Sequence, residues 1–155
     1  SGSGMLEAIF DVGQAAVILS SAALALADSL QYHYCKYVRT SEEDRKKNIV
    51  NAPVQLVGNS MLSAAETRTR HTVGILGARI KPYFTWAKTD MGEDMGLSRW
   101  MLKQLSMISS ELNESPLPET LGPIEKSELY LGYMAGVSGK ATGENENNEG
   151  GKQNG

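Results

Sequence analysis

From Ala15 to Ala27 the chain carries only small or apolar side chains, thirteen residues without interruption. A helix spanning the hydrocarbon core of a bilayer needs about 20 such residues. Extending the run back to Met5 brings in Glu7, Asp11 and Gln14. A helix that is apolar on every side must instead be covered on every side by protein. The run therefore predicts a buried helix, either at the centre of a bundle or in an interface, with Val17, Leu19 and Leu24 as its interface candidates. Two other readings fit less well. Ala25-Leu26-Ala27 before Asp28 resembles a secretory cleavage site, but Met5–Gly13 holds two acids and no base, opposite to what a signal requires. Shallow insertion of residues 15–27 into a membrane surface is the third reading.

The remaining pattern is helical. Met5 to about Arg39 reads as one long helix with a bend permitted at Gly13, since Ala, Leu and Gln favour helix. Thr40-Ser41-Glu42-Glu43 offers a capping box with Thr40 as N-cap, which predicts a short charged helix over Ser41–Val50. Asn51-Ala52-Pro53 marks a further start, and Val54, Val57, Met61, Leu62 and Ala65 carry helical spacing to about Glu66. Residues 67–80 are rich in β-branched side chains and contain Gly74 and Gly77. They read as helix continuing to Ile80, with a strand as the alternative, and Pro82 is expected to break the element. Tyr83–Gly96 reads as irregular. Leu97, Met101, Leu105, Ile108 and Leu112 then form the clearest amphipathic stripe. A prolyl loop follows, and a last helix is expected from Ile124 to about Ala135, contributing Leu129, Leu131, Tyr133 and Met134.

These elements predict an all-α fold: one helical-bundle-like domain over residues 5–136, with Ser1–Gly4 as linker or tag residues. Residues 137–155 form an acidic Gly/Asn/Glu tail expected to be disordered. Its apolar residues are Val137 and Ala141, too few to offset the entropy of ordering. The single cysteine, Cys35, excludes a disulfide within the chain and suits a reducing, cytoplasmic setting. A buried thiol is its expected state.

Motifs for catalysis or cofactors fail on inspection. Gly132 to Thr142 resembles a phosphate loop, yet Met134 and Ala141 stand where a glycine and a hydroxyl are required. These glycines are expected instead to end the last helix. His33 and Cys35, two residues apart, point about 200° apart on a helix and cannot share a metal. No serine sits in a nucleophile elbow, and the adjacent acids Glu93 and Asp94 read as a solvated loop. The expectation is no enzyme, no cofactor, no metal and no small-molecule substrate.

Charge is the uneven feature. Between Ser29 and Ser110 twelve basic residues face seven acids, a net of +5. The rest holds three against eleven, or −8, and together these give the overall −3. Thr67–Lys88 contains Arg68, Arg70, Arg79, Lys81 and Lys88 and no acid, with Tyr83, Phe84 and Trp86 among them. Cations neutralise phosphates and aromatic faces stack on unpaired bases. Arg68, Arg70, Arg79, Lys81 and Trp86 are thus the nucleic-acid candidates. On a straight helix Arg68 and Arg79 share one face, while Arg70 and Lys81 share another about 160° away. The expectation is a self-associating, coat- or nucleocapsid-like helical protein that contacts single-stranded nucleic acid, in the cytoplasm or in a particle assembled there. An adaptor whose N-terminal helix docks a protein partner is the alternative.

Overall fold

The structure, a computed structural model, describes residues 2–89, 97–114 and 117–138, with side chains for all of these except 2–13 and 97–98. The described residues form six helices and no strand: α1 (Gly2–Val38), α2 (Glu42–Lys46), α3 (Val57–Thr67), α4 (Thr69–Ala87), α5 (Leu97–Glu114) and α6 (Pro123–Val137). The fold is all-α, and the acidic tail lies outside the described residues apart from Val137 and Ser138.

The apolar run sits at the centre of the bundle. α1 packs against α3, α4, α5 and α6, which cover most of the run, while Ala15 and Ile18 stay exposed, Ile18 at 65%. By length and composition Gln14–Val38 could cross a membrane, with a mean hydropathy of 1.3, but 72% of that apolar window is buried within the protein. Leu24, Ala25, Ala27, Leu30 and Cys35 are wholly inaccessible.

Close helix approaches are set by small residues. A Cβ on Gly58 of α3 would lie 2.1 Å from the backbone oxygen of Leu24. In α6, Gly132 faces Ser21 and Gly136 faces Ala25, one turn apart on each helix. These two glycines were expected to end the last helix. They lie inside it, because their missing side chains are what lets α6 approach α1.

A pair of buried polar side chains on α1 ties four helices together. Leu56, at the N-cap of α3, has no side-chain acceptor. The amide of Val57 instead donates to Gln31 Oε1 (2.7 Å), and those of Gly58 and Asn59 donate to the two oxygens of Asp28 (2.5 and 3.0 Å). Three of the four amides that a helix start leaves unpaired are thus satisfied from a neighbouring helix. The Tyr133 hydroxyl of α6 also donates to Asp28, and Gln31 Nε2 donates to the Tyr83 hydroxyl of α4 (3.2 Å). Asp28 and Gln31 are three residues apart and so share one face of α1. This tertiary capping is why α3 begins at Val57 and not near Asn51.

Other boundaries also depart from the sequence expectation. The cap of α2 is Ser41, whose Oγ accepts from the amide of Asp44 (3.1 Å). Thr40 closes the end of α1 instead, donating to the carbonyl of Cys35 (2.7 Å) and accepting from the amide of Asn51 (2.9 Å). α2 stops at Lys46, short of Val50. Asn48 adopts a left-handed φ of 59°, and the amides of Asn48 and Ile49 donate back to Arg45 and Asp44 in a Schellman arrangement.

Residues 67–80 are helical, not a strand, but interrupted: Arg68 (φ −133°, ψ 56°) separates α3 from α4. The first amides of α4, on Thr69 and Arg70, donate to the carbonyls of Glu119 and Pro118 (2.8 and 3.2 Å), so the 117–121 segment caps the new helix. Pro82 does not end α4, and Tyr83–Ala87, expected to be irregular, completes it. Ala78 and Pro82 both lie on the exposed side, where the carbonyl freed by the missing amide faces solvent. Beyond Pro82, Tyr83, Phe84, Trp86 and Ala87 pack on the main core and hold the last turns. The expected Leu97–Leu112 helix is present as α5, and Pro123 occupies the first turn of α6.

Candidate functional site

α4 places the expected nucleic-acid residues on two flanks. Its inner side buries Thr69, Thr72, Val73, Leu76 and Ile80. Arg68, Arg70, Arg79, Lys81 and Lys88 are all exposed. Residues eleven apart on a helix lie within about 20° of one another. Arg70 and Lys81 therefore share one flank of α4 and Arg79 lies on the other, while Arg68 stands in the break before the helix. Lys88, eighteen residues past Arg70, extends the Arg70–Lys81 flank and was missing from the sequence-derived set. The face from Arg68 to Lys88 is about 30 Å long.

Among the described residues no acid lies within ion-pair distance of any of these cations. Among the described residues the salt bridges are Lys46–Glu42 and Lys47–Glu43, both exposed in α2. Arg70 is partly committed: its Nε donates to the carbonyl of Leu117 (2.7 Å), fixing the side chain beside the 117–121 segment. Lys88 Nζ sits 4.9 Å from the centre of the Phe84 ring.

Trp86 is placed differently from a stacking platform. It is half-buried, packed on the main core and edge-on to Tyr34 at 5.7 Å. Its indole nitrogen is enclosed with no acceptor among the described residues. Tyr34 in turn meets Tyr83 at 5.1 Å and carries the Arg39 guanidinium over its ring at 5.5 Å. This aromatic cluster joins α1 to α4, so the indole's first role is packing.

The interface candidates divide as well. Val17 and Leu24 lie in the main core of the chain, and Leu19 is half-buried in a recess shared by α1, α5 and α6. Ile18 beside them is exposed at 65%, and a larger group of exposed apolar side chains lies on the outer side of α6. There Ile124, Tyr130, Leu131, Met134 and Val137 are accessible, Ile124 and Leu131 at 67% and 66%. The sequence expectation grouped Leu131 and Met134 with buried Leu129 and Tyr133, whereas the outer pair faces solvent.

Groups weighed for other chemistry are accounted for locally. Cys35 is buried, and burial pushes its thiol up from the ordinary value. His33 Nδ1 lies 2.7 Å from the carbonyl of Ser29 in its own helix. Glu93 and Asp94, and the end of the phosphate-loop-like stretch past Ser138, lie outside the described residues. Compared with known proteins, the chain matches no family model, no curated protein and no solved structure.

Proposed function

We propose that this is a non-enzymatic, self-associating helical protein that binds the phosphate backbone of single-stranded nucleic acid through α4, in the manner of a coat or nucleocapsid protein. The observation that carries the reading is the cationic character of α4 and its two caps: five exposed cations on more than one flank over about 30 Å, no acid between Thr67 and Thr89, and no ion pair to any of them among the described residues. Such a surface attracts a polyanion and carries no base-reading geometry, so affinity comes from phosphate contacts.

The two flanks make a quantitative test. A strand lying along Arg70, Lys81 and Lys88 makes three contacts and is expected to give a log–log salt slope near −2, at about −0.7 per phosphate; engaging both flanks steepens it to about −3 or beyond. Replacing Lys81 and Lys88 by Ala is expected to flatten the slope by about 1.4 and to weaken all sequences alike. Fluorescence anisotropy with a labelled single strand at several salt concentrations reads both quantities. No measurable binding at low salt overturns the proposal and leaves the protein–protein adaptor in its place.

Self-association in this reading runs through α6. Its exposed face is apolar over Ile124, Tyr130, Leu131, Met134 and Val137, and contiguous apolar surface of this kind marks interaction sites. Leu131→Glu is expected to convert the oligomer to monomer in light scattering while the circular dichroism stays unchanged. A wild-type protein that is monomeric at tens of micromolar ends this part of the proposal and assigns the face to a different partner.

A further inference from the structure

α4 and α5 are separated by a groove of about 860 Å³, within the range of small-ligand sites. Leu76, Ile80, Leu105 and Ile108 line it, together with Ser106, Ser109 and Ser110 of α5. One end is apolar, where Val73 and Leu112 pack in the same side cluster. Toward the other end stand Lys81 and Lys88, and no acid is among the described residues that line the groove.

Two glycines open it. Gly58, Gly132 and Gly136 each have a neighbouring helix pressed against the place of the missing side chain. Gly74 and Gly77 do not: a Cβ on either would meet nothing within 4 Å among the described residues, and both line the groove. Glycine inside a helix weakens it relative to alanine. At these two positions no helix crossing accounts for that cost, and their effect is to keep one wall of the groove bare.

We infer that the groove is a binding site for a single-chain amphiphilic carboxylate, a long-chain fatty acid, with its carboxylate at Lys81 and Lys88 and its acyl chain running past Gly77 and Gly74 toward Val73. The separation of Gly74 and Lys88 along α4 is about 21 Å, the reach of an extended long acyl chain. Lysine ammonium groups meet the carboxylate, and apolar side chains cover the chain. The site shares Lys81 and Lys88 with the nucleic-acid reading, whereas its glycines and apolar side chains contact no phosphate there, so Gly77→Leu separates the two.

The test is titration of the full-length protein with oleate below its micelle concentration, by calorimetry or displacement of a fluorescent fatty acid. Saturable one-to-one binding is expected. Gly77→Leu fills the groove and is expected to weaken binding at least tenfold, with no fall in melting temperature and no change in the nucleic-acid salt slope. Lys81→Gln with Lys88→Gln is expected to weaken oleate about tenfold and to leave the matching alcohol, oleyl alcohol, unaffected. This second variant replaces surface side chains and keeps the test decisive if Gly77→Leu fails to fold. Absence of saturable oleate binding overturns the inference. So does oleate binding that is unchanged by a folded Gly77→Leu, or unchanged by the double lysine variant.

Discussion

Asp28→Ala is expected to destabilise the protein by about 3–5 kcal/mol, because three donors lose their acceptor in a dry site. The amides of Gly58 and Asn59 and the hydroxyl of Tyr133 all converge on this carboxyl, so α3 and α6 both loosen from α1. Asp28→Asn keeps one acceptor oxygen and is expected to cost less than Asp28→Ala. Urea unfolding followed by circular dichroism measures both. Burial raises the Asp28 pKa above the ordinary carboxylate value, outweighing the opposing hydrogen bonds from Tyr133, Gly58 and Asn59. The folded state thus holds the proton more tightly than the unfolded chain does. The stability from this titration is fully present below the unfolded pKa and declines as pH rises through the raised folded value. Asp28→Asn lacks that decline, so the difference between wild type and variant is expected to shrink from acid toward neutral pH. A difference that instead grows with pH would mean the carboxylate is favoured by its donors over its burial.

Gly58→Ala is expected to be comparably severe, about 3–5 kcal/mol or outright failure to fold. The added methyl would lie 2.1 Å from the Leu24 carbonyl oxygen, a backbone atom that moves only if α1 and α3 separate. Separation would also pull the amides of α3 away from Asp28. The other glycines at close helix contacts grade downward. At Gly136 the obstacle is the Ala25 methyl at 2.4 Å, which forces α6 outward. At Gly132 it is the Ser21 hydroxyl at 2.7 Å, which can rotate. Thermal melts are expected to rank the three alanine variants in that order, Gly58 the least stable. By contrast Gly74→Ala and Gly77→Ala, in open space, are expected to raise the melting temperature, since alanine favours helix by about 1 kcal/mol.

Both of these positions were invisible to periodicity. Asp28 is a single acid closing an apolar run, and its sequence neighbours do not name a partner 30 residues away in α3 or 105 away in α6. Gly58 sits in a helix that Asn51 would start too early by local capping alone, because the acceptors that fix its start at Val57 come from α1. The signal available was indirect: a carboxylate placed where burial is unavoidable must find donors.

The functional residues show the same division. That Arg70 and Lys81 share a flank follows from their eleven-residue spacing within α4, whereas Arg68 falls in the break before it. That Trp86 is boxed by Tyr34, that Arg70 is held by the Leu117 carbonyl and that the bare side of α4 faces a groove depend on which helices lie alongside.

What the amino-acid order determined by itself was the all-α class, the need to bury most of residues 15–27, the amphipathic α5 and the acid-free basic character of α4. Each rests on interactions within about one turn of helix, or on a composition that leaves a single choice between water and protein. Tertiary structure decided where α3 starts, why α3 and α4 part at Arg68, how Pro82 is carried inside a helix and which side of α6 remains exposed. Those outcomes rest on hydrogen-bond acceptors and packing surfaces supplied by residues distant in the chain. Satisfying a buried amide outweighs the few tenths of a kcal/mol by which local propensities differ.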